Sequence, residues 1–246
     1  MKVNSLLLGV FGLLSLTFCG KPDENVELFN SENTANAPKE IFTEHKEFIY
    51  RVSCTSSNGQ TASADTLVLL SSGSPWNLNV GQKKIAWGKR TAGKNTGLNG
   101  TGVVEDSLRL WIHPPRFDQY AILELSPFPE VKKPFIPGQQ WYWGLEVGSQ
   151  YANPAWAVWQ GNMLVKTRYK ATGQQTIETA LGKLTCQEIL ATSTCAAGRS
   201  TLRTLYHPEY GFVLLDYVNI DASKMKLQLI YVGIENKFDG GAYFKK

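Results

Sequence analysis

No two cysteines in this 246-residue sequence stand in C-x-x-C spacing, and neither an H-E-x-x-H nor a G-x-S-x-G motif occurs. Those absences remove the compact signatures of zinc and thiol redox sites and of a hydrolase nucleophile elbow. Histidine is scarce: His45, His113 and His207 are the only three, and their spacing assembles no ligand set, so no metal and no cofactor is expected. Lys and Arg never run beyond two in succession, and the formal charge is +4. Nucleic-acid binders cluster their basic residues, so nucleic acid is not an expected partner. No apolar stretch reaches the ~20 residues that a membrane-spanning helix requires.

What is present begins with an export signal. Lys2 precedes the 13-residue apolar run LLLGVFGLLSLTF at 6–18, too short to span a bilayer but the right length for a signal-peptide core. The run ends on Cys19 with Leu16 three residues before it, which resembles a lipobox; Phe18 stands where that motif usually carries a small residue. The following CGKPDEN resembles the Cys-x-Lys-acidic signal of surface-exposed Bacteroidota lipoproteins. The expectation is a signal peptide over 1–18, lipidation (palmitate among the acyl chains) at Cys19, and a flexible Asn-, Glu- and Ser-rich tether over 19–44. Such an anchor ties a domain to a membrane without a transmembrane helix. The implied address is the outer membrane, facing the periplasm or the cell surface.

From residue 45 to 246 a single β domain is expected, because apolar residues alternate with polar ones almost throughout. Phe48, Tyr50, Val52 and Cys54 share a face, as do Leu108, Leu110 and Ile112, then Trp141, Trp143, Leu145 and Val147. The clearest case is NMLVKTRYKA, with Met163, Val165, Thr167 and Tyr169 opposite Lys166, Arg168 and Lys170. The stretch 202–218 reads as two strands about a turn at His207–Gly211. Loops are expected at 56–59, 95–102, 171–175 and 195–200, where Gly, Asn and Ser gather. The fold class is all-β: about ten antiparallel strands in a curved sheet, forming a partly open barrel or a sandwich. Seven Trp and ten Tyr suit such a fold.

Three segments in order, ELSPFPEVKKPFIPGQQWYW (124–143), TALGKLTCQEI (179–189) and YHPEYGFVLLDYVN (206–219), resemble the TapB-like group of exported bacterial β proteins, a domain of unknown function. The resemblance covers about 120–232. It implies a periplasmic or outer-membrane location and a partly open barrel, and it brings no reaction and no catalytic residues.

Beyond Cys19 the count of cysteines is odd. Cys186, in a strand-like run, reads as a small core residue; Cys54–Cys195 is the first choice for a disulfide that an export compartment permits. The stretch RLWIHPPRF (109–117) looks most like a site. Alternation places Arg109, Trp111 and His113 together, Pro114 and Pro115 end the strand, and Arg116 can fold back onto Trp111 or onto a carboxylate such as Glu124. These residues serve either as a strand-terminating corner or as the rim of a pocket for an acidic or polar ligand. Trp141 and Trp143 read as core, whereas Trp156 and Trp159 in NPAWAVWQG read equally as core or as ligand contacts. The candidate ligand residues are therefore Trp111, His113, Arg116, Trp156 and Trp159. The expected function is non-catalytic binding of a small apolar or amphipathic ligand such as a lipid. A structural or assembly lipoprotein contacting envelope proteins is the alternative, and an uncharacterised hydrolase the third reading.

Overall fold

A computed structural model describes residues 39–76 and 79–234; Cys19, the leader and most of the expected tether lie outside the described residues. The described residues form a compact unit built on one antiparallel sheet of twelve strands. These are β1 (Lys46–Thr55), β2 (Thr61–Pro75), β3 (Lys83–Thr91), β4 (Lys94–Glu105), β5 (Arg109–Ile112), β6 (Glu130–Lys132), β7 (Gln140–Gly148), β8 (Asn162–Thr179), β9 (Gly182–Cys195), β10 (Gly198–His207), β11 (Gly211–Val218) and β12 (Lys224–Ile234). The curved, open all-β architecture read from the alternation is what the chain adopts, with twelve strands where about ten were expected.

The order is β6-β5-β4-β3-β2-β1-β12-β11-β10-β9-β8-β7. Two meanders, one from each half of the chain, meet where β1 pairs with β12 over ten residues, Lys46↔Ile234 to Thr55↔Lys224. The two edges, β6 and β7, are consecutive in sequence and belong to opposite ends of the sheet. Burial follows the pleat. On β8, Met163, Val165, Thr167, Tyr169 and Ala171 are buried while Leu164, Lys166, Arg168 and Lys170 are exposed. Phe48, Tyr50, Leu69, Trp87, Leu215, Tyr217, Leu227 and Leu229 belong to one continuous core.

Three expectations are corrected. Residues 95–102 are not a loop but lie in β4, where Gly102 serves packing and Gly97 takes a positive φ of 62° in open space. A Cβ at Gly102 would collide with Gln82 and Trp76, and one at Gly88 of the partner strand would collide with Leu98, so close approach overrides low strand propensity. Residues 171–175 likewise continue β8, with a register shift between Ala171 and Gly173. Leu108 does not share the buried face of Leu110 and Ile112; β5 starts at Arg109 and Leu108 is 69% exposed. The hairpin at His207–Gly211 forms as expected.

The sheet rolls until its edges lap. Register puts Val103, Ile112, Leu110 and Val131 on the core side, and Val104, Trp111 and Glu130 on the other. That second side would face water, yet Trp111 meets Trp143 of β7 at 6.3 Å between ring centroids. Trp141 of β7 donates from Nε1 to Glu130 Oε2 at 3.0 Å, while its ring stacks on Tyr169 of β8 at 5.2 Å. The inner face of β7 therefore covers the outer face of β5 and β6. The connection 113–129 passes between these layers with a 3₁₀ segment at Asp118–Leu125. Three hydroxyls pin it: Tyr120 donates to Asp65, Ser200 to the Leu125 carbonyl and Tyr169 to the Phe128 carbonyl.

The chain enters β1 through a short grip. The Glu105 carboxylate accepts the N–H groups of Ile41 (2.8 Å) and Phe42 (2.9 Å). Both side chains are buried, Phe42 lying 5.0 Å from Phe48.

Candidate functional site

β5 stops because Pro114 and Pro115 offer no N–H to a ladder. His113, just before them, is held by its backbone: its N–H donates to the Gly102 carbonyl at 3.1 Å, and its own carbonyl accepts from Trp87 Nε1 at 2.8 Å. The ring then has one pose. Nδ1 lies 2.9 Å from the Pro114 carbonyl oxygen, an atom that can only accept, so Nδ1 carries the hydrogen and Nε2 presents a lone pair in the neutral ring. Nε2 faces Glu124 Oε1 at 3.4 Å, with the two side chains 13% and 5% exposed.

Burial sets the protonation of this pair. It pushes the Glu124 carboxyl up to about 7, opposed by the nearby Arg116 guanidinium. It takes the His113 imidazole down to about 4, with the bond to Pro114 opposing and Arg116 reinforcing the shift. Desolvation disfavours whichever form is charged, so the preferred state is a neutral imidazole facing a protonated carboxyl. Glu124 Oε1 has no hydrogen-bond partner among the described residues, and an unsatisfied buried polar atom of this kind is costly unless something meets it.

Arg116 completes the polar end. Its Nε donates to Asn99 Oδ1 (3.3 Å), one terminal nitrogen to the Gly100 carbonyl (3.2 Å) and the other to the Tyr151 hydroxyl (3.5 Å). Beside it stands an aromatic wall. Phe128 is 4.6 Å from the His113 ring, 5.0 Å from Trp143 and 5.8 Å from Trp111. Together with Leu145 and Val147 these rings bound a cleft of about 410 Å³ between the lapped edges. Its size lies within the range of small-molecule sites, and it joins an apolar wall to a few convergent polar groups, as such sites do.

Of the five ligand candidates, Trp111, His113 and Arg116 come together here, and Trp156 and Trp159 do not. Trp156 donates from Nε1 to the Tyr151 carbonyl at 3.2 Å and Trp159 to the Val147 carbonyl at 3.1 Å; both pack on the small cluster of Leu125, Val147, Met163 and Val165. Trp143, for which core was favoured over a ligand contact, and Phe128, which nothing singled out, both line the cleft. No local signal marks them, since the wall exists only once β7 laps β5. Cys54, Cys186 and Cys195 all remain thiols; Cys54 on β1 and Cys195 at the end of β9, the expected bridge, are separated by three intervening strands. Cys186 is buried in the core.

No family model matches the sequence, and no curated protein matches it. Solved structures that align with this one include a candidate exported protein of YmcC-like fold from Bacteroides fragilis, at 11% identity and a TM-score of 0.40 over 79% of this chain and 100% of that one. A candidate lipoprotein from Parabacteroides distasonis is 7% identical with a TM-score of 0.47 over 78% and 98%. The hypothetical lipoprotein YmcC of Escherichia coli is 10% identical with a TM-score of 0.34 over 78% and 89%. None of these three carries the TapB-like name.

Proposed function

We propose that this chain is an exported, lipid-anchored protein of the outer membrane whose β domain holds a small amphipathic molecule between its lapped sheet edges, without acting on it chemically. The observation that carries the reading is the cleft itself: Trp111, Phe128 and Trp143 form one wall, and His113, Glu124 and Arg116 form one pole. An apolar tail gains by leaving water against the rings, while a hydroxyl or carbonyl on the head meets the unpartnered Glu124 carboxyl. The envelope address rests on the leader at 1–18 and on Cys19.

Native mass spectrometry of the full chain, made with its own leader in a Gram-negative host, tests the binding reading. A reproducible extra mass that is lost on denaturation, and lost also in Trp143→Ala, is the expected result. A clean ligand-free mass that no panel of lipids or detergents shifts would overturn it, and in-cell cross-linking to a specific protein neighbour would then favour an assembly role.

A further inference from the structure

The outer face of β8 carries a row of cations with no acid among them. Register sets three rows across it: Gln140–Lys170–Leu190–Arg203, Tyr142–Arg168–Thr192–Thr201 and Gly144–Lys166–Thr194–Arg199. Lys166, Arg168 and Lys170 stand at alternate positions, ~7 Å apart along the strand. With Arg199 they form no ion pair among the described residues. Other cations are matched, as in Arg90 with Glu47 or Lys132 with Glu130; what sets this face apart is that its unpaired cations stand in one row. Three acids lie nearby: Glu188 accepts from Arg203 at 2.6 Å, Glu146 at the margin accepts from Asn162 at 3.2 Å, and Asp216 of β11 stands between Arg203 and Lys226 in register.

Apolar side chains are interleaved with these cations. Tyr142 is 72% exposed and Leu164 49%. Because Gly144 has no side chain, they flank a trough of about 770 Å³, rimmed by Lys166, Arg168 and Arg199. A ring with a hydroxyl, aliphatic tips and a row of cations together match the boundary layer of a bilayer. There phosphates attract Lys and Arg, and tyrosine rests with one end apolar and one end wet. An acidic protein surface would match the charge but not the exposed Tyr142, Leu164 and Leu190.

We propose that the outer face of β7–β10 docks onto an anionic phospholipid bilayer, with lipid phosphates over Lys166, Arg168, Lys170 and Arg199 and the Tyr142–Leu164 trough seated among the headgroups. This face is distinct from the cleft between the edges and does not depend on what the cleft holds.

Vesicle sedimentation of the full chain tests it, using phosphatidylcholine vesicles with and without phosphatidylglycerol. The parent should partition more strongly onto the anionic vesicles, and added salt should erase the preference. The triple variant Lys166→Glu, Arg168→Glu, Lys170→Glu should lose affinity for them by on the order of a hundredfold, and the triple glutamine variant should lose part of it. A charge-matched control, Arg51→Glu, Lys94→Glu, Lys224→Glu, alters exposed cations on other strands and should retain most of the preference; the leader contributes equally in every case. Loss of equal size in the control, or a parent indifferent to phosphatidylglycerol, overturns the proposal. Binding to immobilised polyglutamate with none to anionic vesicles also overturns it and assigns the face to an acidic protein.

Discussion

The β1–β12 junction and the β6/β7 seam both join the two halves of the chain, by opposite means. At the junction ten residue pairs join strands that are apolar on their inner face, with one register shift between Ile49 and Tyr50, so backbone bonds close the sheet and burial secures it. At the seam the edge strands do not pair. They lap, and side chains close the gap through the Trp141–Glu130 bond and the Trp111–Phe128–Trp143 contacts. A ladder leaves no room for a ligand. A seam closed by side chains leaves the cleft, and in it a buried acid with an unmet oxygen. Lapping also covers two sheet edges that would otherwise invite pairing with other chains.

The largest effect separating the two regions belongs to the packed side. Trp87 is fully buried, 5.5 Å from Tyr50, and its Nε1–H fixes the His113 carbonyl; Trp87→Ala should cost about 3–5 kcal/mol, read by urea denaturation. A loss below about 1 kcal/mol would mean that the core does not position the site.

The next effect is the seam's own and appears only against pH. Alone, Glu124, raised from 4.5 to about 7, stabilises the fold at low pH, and that stability is lost as pH rises to 7. Alone, His113, lowered from 6.5 to about 4, stabilises the fold at high pH, and that stability is lost as pH falls to 4. In the parent the proton gained by the carboxyl is the one the imidazole gives up, so the two slopes cancel between about 4.5 and 6.5. Glu124→Gln should therefore lose about 3 kcal/mol between pH 6.5 and 4, and His113→Gln about 3 kcal/mol in the opposite direction between pH 4.5 and 7. Slopes of the same sign in both variants would rule out a neutral pair.

A smaller change probes the closure directly. Trp141→Phe keeps the stacked ring but removes the donor to the buried Glu130 carboxylate, and should cost about 2 kcal/mol. If thermal unfolding is unchanged, the seam is held by ring packing alone. Smallest of all, Leu108→Ser outside β5 should shift stability by less than about 0.5 kcal/mol, and a larger shift would restore Leu108 to the buried face.

The same contrast governs what could be read without coordinates. β1, β7, β8 and β12 were legible because one face is covered and one is water, and alternation reports that difference directly; β11, buried on both faces over Gly211–Leu215, was legible from the turn before it. β4 was not, since KNTGLNGTGVVE has the composition of a loop and becomes a strand only where neighbours demand glycine. Arg109, Trp111 and His113 on one side of β5 and its end were legible; Arg116 was not, since it donates to Asn99, Gly100 and Tyr151 and not to the Glu124 carboxyl or Trp111. Phe128 and Trp143 as cleft residues were not: they stand 15 residues apart in sequence, but lapping is a relation between strands at opposite ends of a twelve-stranded order, and nothing in the intervening sequence signals it.

The grip of Glu105 on Ile41 and Phe42 has a mechanical consequence. A load entering the domain near residue 38 meets two charge-assisted bonds and two buried side chains before it reaches β1. That strand is flanked by β2 and β12, so a pull along it must shear two ladders at once instead of peeling one. A chain tugged by its amino end is thus fastened by a strain relief at the point of entry, leaving the seam on the far edge of the sheet unloaded.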